Sequence, residues 1–200
     1  MGEMGRRNEV VGMEQGMSRR LIIGIDPGLD GGIAFWYDRL PDGIQAIPMP
    51  TFESSKGKKT IRVIDLAAIR NIILSKLAIG VNPFAIIEKV HSFPGQGVAS
   101  SFTFGEGYGA IQGILVGLRI SYCKVTPQKW MKTILAGYDT KGKKKPSVEY
   151  VKALHPWINL LPTKRSRKPH DGMADAICIA EYAATLEGGK DAYDSNGEIV

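Results

Sequence analysis

The stretch Leu21-Ile22-Ile23-Gly24-Ile25-Asp26-Pro27-Gly28 constrains this chain most. An apolar, β-branched run stops abruptly in a carboxylate. Bounded by Pro and Gly, such a run reads as a buried strand. Strand alternation puts Ile22, Gly24 and Asp26 on one face. A carboxylate at the end of a buried strand is costly unless it is paired or binds a metal. Asp26 can equally open a tight turn with Pro27-Gly28, and this stretch alone does not choose between the two.

The same anomaly recurs. Pro83-Phe84-Ala85-Ile86-Ile87-Glu88 is a second apolar strand that finishes in an acid. Between the two, Gly31 to Tyr37 reads as a strand forming a hairpin with the first, and Ile44 to Met49 as a third strand. Pro48 to Thr60 is polar and basic and reads as a loop. Ile61, Ile64, Leu66, Ala68, Ile69, Ile72, Ile73 and Leu77 recur at mostly helical spacing, which predicts a helix ending near Gly80. Glycines 105, 109, 113 and 117 stand four apart. On a helix they form a bare stripe, expected to pack tightly against a sheet, a helix or a second subunit. No Lys-Ser/Thr follows them as a phosphate loop requires, so that reading is weak. Ile120 to Val125 reads as a fifth strand, and Thr126-Pro127 as the start of a helix to about Ala136. Further helices are expected from Pro146 to Leu154 and from His170 to about Leu186. The predicted fold is α/β, a mixed five-stranded sheet with helices on both faces.

The length of 200 residues suits one domain, placed at 21–187. Residues 1–20 read as a disordered leader and 188–200 as an acidic, flexible tail. No apolar run reaches the ~18 residues of a membrane span, and the first residues carry no signal-peptide core. A cytoplasmic setting is expected, or host cytoplasm if the chain is phage-encoded. Cys123 and Cys178 are too few for a disulfide framework or a zinc site and read as buried thiols. The net charge is +6. Its excess sits in three clusters, Lys56 to Lys59, Lys141 to Lys145 and Lys164 to Lys168. Any one cluster could be solvated loop charge; three together favour a polyanionic partner.

The last helix supplies further acids. Asp171 and Asp175 are one turn apart on one helical face, with Ile177, Ala180 and Ala184 on the opposite face for packing. Asp171 also benefits from the helix dipole. Read singly, the two would be a helix-start acid and a surface acid. Four carboxylates from two strands and a helix repel one another if left bare. Oxygen-only ligands suit Mg²⁺ or Mn²⁺ rather than zinc, and two such ions would serve phosphodiester hydrolysis.

Ile-Asp-Pro-Gly on the first strand, a strand-ending Glu and Ala174-Asp175-Ala176 in the last helix resemble the RuvC family of Holliday junction resolvases. Phe93-Pro94-Gly95-Gln96-Gly97, Phe104-Gly105 to Gly117 and Val125 to Trp130 are similar to the phage-type and chloroplast members. The resemblance spans about Leu21 to Ala184 and implies an RNase H-like fold. Each motif is weak singly; their order and spacing carry the likeness. By position Asp26, Glu88 and Asp175 match the family's metal-binding acids. Bacterial members place the fourth acid three residues before the last, where this chain has Gly172. Asp171 is the preferred fourth ligand, and His170 a second candidate ligand or base, or simply a polar helix-start residue. Lys132, five residues before Gly137, and Lys145, opening the next helix, match family lysines that contact phosphate or stabilise the transition state. Lys143 and Lys144 read as general backbone attraction, and Lys129 joins them as a candidate DNA contact. Phe93 stands near the position of a base-wedging aromatic, or packs its own loop.

The implied activity is a Mg²⁺-dependent endonuclease resolving four-way DNA junctions. It would use two ions per subunit, with Mn²⁺ substituting, and no small-molecule cofactor. A homodimer would cut opposite strands. Alternatives are a broader branched-DNA nuclease of a phage and a non-catalytic junction-binding protein. The hairpin from Ile25 to Gly32 also resembles the phosphate loop of actin-like ATPases, but those need two such domains.

Overall fold

The computed structural model describes residues 19–37, 40, 43–57, 59–78, 81–91, 95, 97–138 and 145–186. Three strands open the chain: β1 (Arg19–Asp26), β2 (Gly32–Tyr37) and β3 (Ile44–Pro48). β1 pairs antiparallel with β2, and β2 antiparallel with β3. β1 begins at Arg19, inside the expected leader, and Arg20 lays its guanidinium over the Phe84 ring, 5.7 Å from the centroid. The rest of the expected leader and the tail lie outside the described residues.

The segment from Thr51 to Ile64 corrects the sequence reading. It is neither a loop nor the start of a helix. It forms β4 (Thr51–Lys56) and β5 (Lys59–Ile64), an antiparallel ribbon with its own two-stranded sheet. Ile61 and Ile64 are spaced like helical residues, but they are strand residues of β5. The helix α1 spans only Leu66–Lys76, and Asp65 caps it by accepting from Ala68 N at 2.9 Å.

The remaining elements follow the expected order: β6 (Val81–Glu88), α2 (Val98–Gly117), β7 (Ser121–Val125), α3 (Pro127–Ile134), α4 (Pro146–Leu154) and α5 (Asp171–Thr185). β6 runs parallel to β1 and β7 parallel to β6, giving the sheet order β3-β2-β1-β6-β7. Alternation along the strands divides the core in two. Leu21, Ile23, Ile25, Ala85 and Ile87 face α1 and α2, where Ile69, Ile73, Ile111 and Leu115 are fully buried. Ile22 and Ile86 face the other way and pack with α3, α4 and α5. Each buried aliphatic side chain stabilises the fold by roughly 2 kcal/mol. No helix among the described residues is long and apolar enough to cross a membrane.

The glycine stripe of α2 departs from expectation. A Cβ added at Gly105, Gly109, Gly113 or Gly117 meets nothing within 4 Å. The close approaches lie elsewhere. A Cβ on Gly24 would sit 2.2 Å from Ala176 O, and one on Gly32 2.5 Å from Gly172 O. One on Gly172 would sit 2.3 Å from Asp30 O. Helix α5 therefore lies backbone to backbone on β1, β2 and the turn between them.

Candidate active site

Register brings the first two acids together. Ile25 is the partner of Ile87 across the parallel β1–β6 pair, so Asp26 and Glu88, one residue further on, end adjacent strands at the same level. Ile25 and Ile87 point to α1 and α2; Asp26 and Glu88 therefore point to the α5 side. The close seat of α5 over Gly24 and Gly32 carries Asp175 to that same side.

The three acids feel one another. Asp26 is pushed up to about 7, first by burial, then by the charges of Glu88 and Asp175; the Gly28 N–H, 3.4 Å from Oδ1, offsets part of this. Asp175 is raised to about 6 by burial, with Ser147 opposing and Asp171 adding to the shift. Glu88 is raised chiefly by burial, against a hydrogen bond from Trp130 and with the charge of Asp175. A buried acid whose neighbours are acids resists ionising unless a cation is close.

Each acid has one oxygen engaged by a neighbouring donor. Trp130, buried on α3, donates its indole N–H to Glu88 Oε1 at 2.8 Å. Buried Ser147, in the first turn of α4, donates its hydroxyl to Asp175 Oδ1. These two orienting residues were missed in the sequence. Trp130 ends the Val125–Trp130 motif, and a buried indole must find an acceptor; nothing about Ser147 signals its role.

Asp171, which acts on Asp175 through its charge, has a cationic partner of its own. Its Oδ1 lies 2.5 Å from Lys145 Nζ, an ion pair in which both side chains are nearly half exposed. Such a pair contributes at most about 1 kcal/mol. Lys145 thus meets an acid of α5 at the head of α4. His170 caps α5, its Nδ1 accepting from Met173 N at 3.3 Å. Burial lowers its pKa, with Asp171 opposing. Gly172 cannot become an acid here, because its Cα faces the Asp30–Gly31 backbone. Lys132 is exposed in the last turn of α3 and makes no ion pair among the described residues. Lys129, one turn earlier, is half-buried. Phe93, Lys143 and Lys144 lie outside the described residues.

Among the described residues, no three His, Cys, Asp or Glu side chains close into a ready-made ligand cluster. The donor chemistry nonetheless fits a hard divalent cation. Asp26, Glu88 and Asp175 offer oxygen alone, share one face, and carry the mutual repulsion that a cation relieves.

The sheet order, three antiparallel strands continued by two parallel ones, decides the architecture. The fold is RNase H-like. Among solved structures the chain is similar to RuvC of Thermus thermophilus, with 16% identity, 82% of this chain and 93% of that one covered, and a TM-score of 0.49. It is similar to the yeast mitochondrial Holliday junction resolvase Ydc2 at 15% identity, covering 80% and 76%, TM-score 0.44. Fowlpox virus resolvase, solved with Holliday junction DNA, matches at 15% identity, covering 84% and 99%, TM-score 0.41. No protein-family model and no curated protein sequence matches the chain.

Proposed function

We propose that this protein is a divalent-metal-dependent endonuclease that cuts four-way DNA junctions, acting as a homodimer with one site per strand. One observation carries the reading: Asp26, Glu88 and Asp175 share one face of the sheet, where burial raises all three pKa values and the charges of Glu88 and Asp175 raise Asp26 further. A structural role gains nothing from three buried acids on one face. When bound, two Mg²⁺ ions supply Lewis acidity at the phosphate and a lowered pKa for the attacking water.

The chain's own residues do the rest. Asp26, which feels the charges of both other acids, would hold the metal together with them. Trp130 and Ser147 each hold one carboxylate oxygen, so that the second oxygen of Glu88 and of Asp175 stays turned to the substrate side. Lys145, and Lys132 on the neighbouring helix, would neutralise phosphate charge. Asp171 is the fourth ligand in this reading. Lys145 then acts as its counter-ion in the free protein, and His170 serves the helix end rather than the metal. Two-fold symmetry of a dimer would match the two-fold symmetry of a junction.

The test is Mg²⁺-dependent cleavage of a synthetic four-way junction beside a linear duplex of the same sequence. Cleavage of the junction alone, with Asp26→Asn inert, is the expected result. Equal cutting of both substrates would sink the resolvase reading; undiminished cutting by Asp26→Asn would sink the metal site. Gel filtration of the protein with junction DNA tests the dimer.

A further inference from the structure

The turn after Asp26 is tied to the carboxylate site on two sides. Gly28 N donates to Asp26 Oδ1 at 3.4 Å, and Gly31 N donates to Gly28 O at 2.9 Å. Asp30 thus sits in the tight turn that the first acid opens. On the other side, the Asp30–Gly31 backbone lies against Gly172 in the first turn of α5, next to Asp171. Asp30 therefore stands at the seam between two of the elements that supply the acids. Its charge reaches both Asp26 and His170.

A cation comes to this seam from outside the five-stranded sheet. Arg62, on β5, lies opposite Glu53 on β4. The carboxylate its guanidinium meets is nonetheless Asp30, with Nη2 2.5 Å from Oδ1. Lys145 meets Asp171 in the same way, at 2.5 Å, one residue from Gly172. The charges of Arg62 and Lys145 both act on His170, so the two cations flank the start of α5. The Arg62 side chain is 45% exposed and that of Asp30 89%. A pair so open contributes at most about 1 kcal/mol, so stability does not account for it. Asp30 engages one nitrogen of a guanidinium, and that group carries five N–H donors in a fixed fork. A fork of that shape matches phosphate oxygens two at a time.

We infer that Arg62 is a substrate-binding residue of this site: Asp30 holds its guanidinium in place, and the fork takes a backbone phosphate of the DNA beside the one that is cut. The inference rests on the nuclease reading for its substrate and adds to it a residue from a separate sheet. It answers a problem of charge. Asp26, Glu88, Asp171 and Asp175 repel a polyanion wherever a metal does not cover them. Lys145 offsets that repulsion from the head of α4, and Arg62 offsets it from the β1–β2 turn. The two differ in kind. Lys145 is a point charge on a flexible stem, whereas the guanidinium is planar and already held by Asp30, so it loses less freedom when phosphate arrives.

The experiment measures binding of a fluorescent four-way junction in Ca²⁺ over a series of salt concentrations. Wild type is compared with Arg62→Ala, Arg62→Lys and Arg70→Ala, each checked first for melting temperature and gel-filtration position. Arg70 is exposed on α1, across the sheet from the carboxylates, and controls for net charge. Arg62→Ala should lower the slope of log K against log salt by about 1 and weaken binding at low salt about tenfold. Arg62→Lys keeps the charge and loses the fork, so it should restore the slope but not the full affinity. Arg70→Ala should match wild type. A second arm places single methylphosphonates at the phosphates flanking the point of strand exchange. At one of them wild type should lose about tenfold and Arg62→Ala less than about twofold, because its contact is already gone. An unchanged slope in Arg62→Ala overturns the inference. So does an equal fall in Arg70→Ala, or a set of losses that add at every methylphosphonate position. If wild type binds with an Arg62-dependent slope yet cuts nothing in Mg²⁺, the catalytic reading fails and the phosphate contact stands.

Discussion

Two groups of glycines in this molecule look alike in sequence and do opposite things. Gly24, Gly32 and Gly172 sit where backbone meets backbone, and no side chain fits at any of them. Gly105, Gly109, Gly113 and Gly117 carry the more regular spacing, yet each borders open space. The first group sets how near α5 comes to the sheet, and hence whether Asp175 stands beside Asp26 and Glu88. The second leaves one face of α2 bare, with Val98, Phe102 and Val116 exposed on that helix. Spacing reports that a stripe exists; only the tertiary neighbours decide whether it is used.

Substitution breaks the comparison most directly on the crowded side. Gly24→Ala puts a methyl group into the α5 main chain and should cost about 3 kcal/mol or more, read as a lower urea midpoint. Gly172→Asp, although it places an acid at the bacterial position, should unfold the α5 contact and abolish cleavage rather than add a ligand. Urea unfolding with an undiminished midpoint for either variant would mean that the close approach is not needed.

A second prediction concerns pH on that same side. The folded pKa of Asp26, about 7, lies above the ordinary 3.8. The folded state therefore holds this proton more tightly, and the stabilisation is complete below pH 4. It is lost as pH rises through about 7. Unfolding free energy in a metal-free buffer should fall between pH 5 and pH 8 by on the order of 2 kcal/mol. Asp26→Asn should flatten most of that slope, and Mg²⁺ should reverse it in wild type. A wild-type profile as flat as that of Asp26→Asn would contradict the burial of this acid.

Smaller again is the effect of the orienting donors. Trp130→Phe keeps the ring and removes the N–H, and Ser147→Ala removes the hydroxyl. Each should raise the Mg²⁺ concentration for half-maximal cleavage about tenfold, with melting moved by only a few degrees. The open side gives the smallest change, and of opposite sign. Gly109→Ala and Gly113→Ala should each stabilise α2 by about 0.5–1 kcal/mol, measured by urea unfolding. A loss of stability there would show that the stripe is covered in solution.

Much of this architecture was legible in the sequence because its signals are local. β1 and β6 are apolar runs that end in acids, and α4 and α5 begin at recognisable starts. That Asp26 and Glu88 each end a strand, and that Asp171 and Asp175 share one helical face, is readable from spacing alone; the seat of α5 that carries Asp175 to the other two acids is not. The β4–β5 ribbon was not legible. Both its faces are partly in solvent, so Thr51 to Lys56 show no apolar–polar alternation. Ile61 and Ile64, three apart, then joined the helical pattern of the residues that follow. The function of Gly24, Gly32 and Gly172 was hidden for a different reason: a close approach belongs to two segments, and the sequence presents them far apart. The hydroxyl of Ser147 was silent because any helix start can hold a serine.

The seat of α5 on β1 and β2 has a consequence for how the protein is made. One jaw of the site, Asp26 and Glu88, is synthesised early; the other, Asp171 and Asp175, comes with the final helix. A nascent chain on the ribosome, or a fragment cut before α5, holds only half of the carboxylate set. The nuclease activity we propose thus cannot begin until the last helix has been translated.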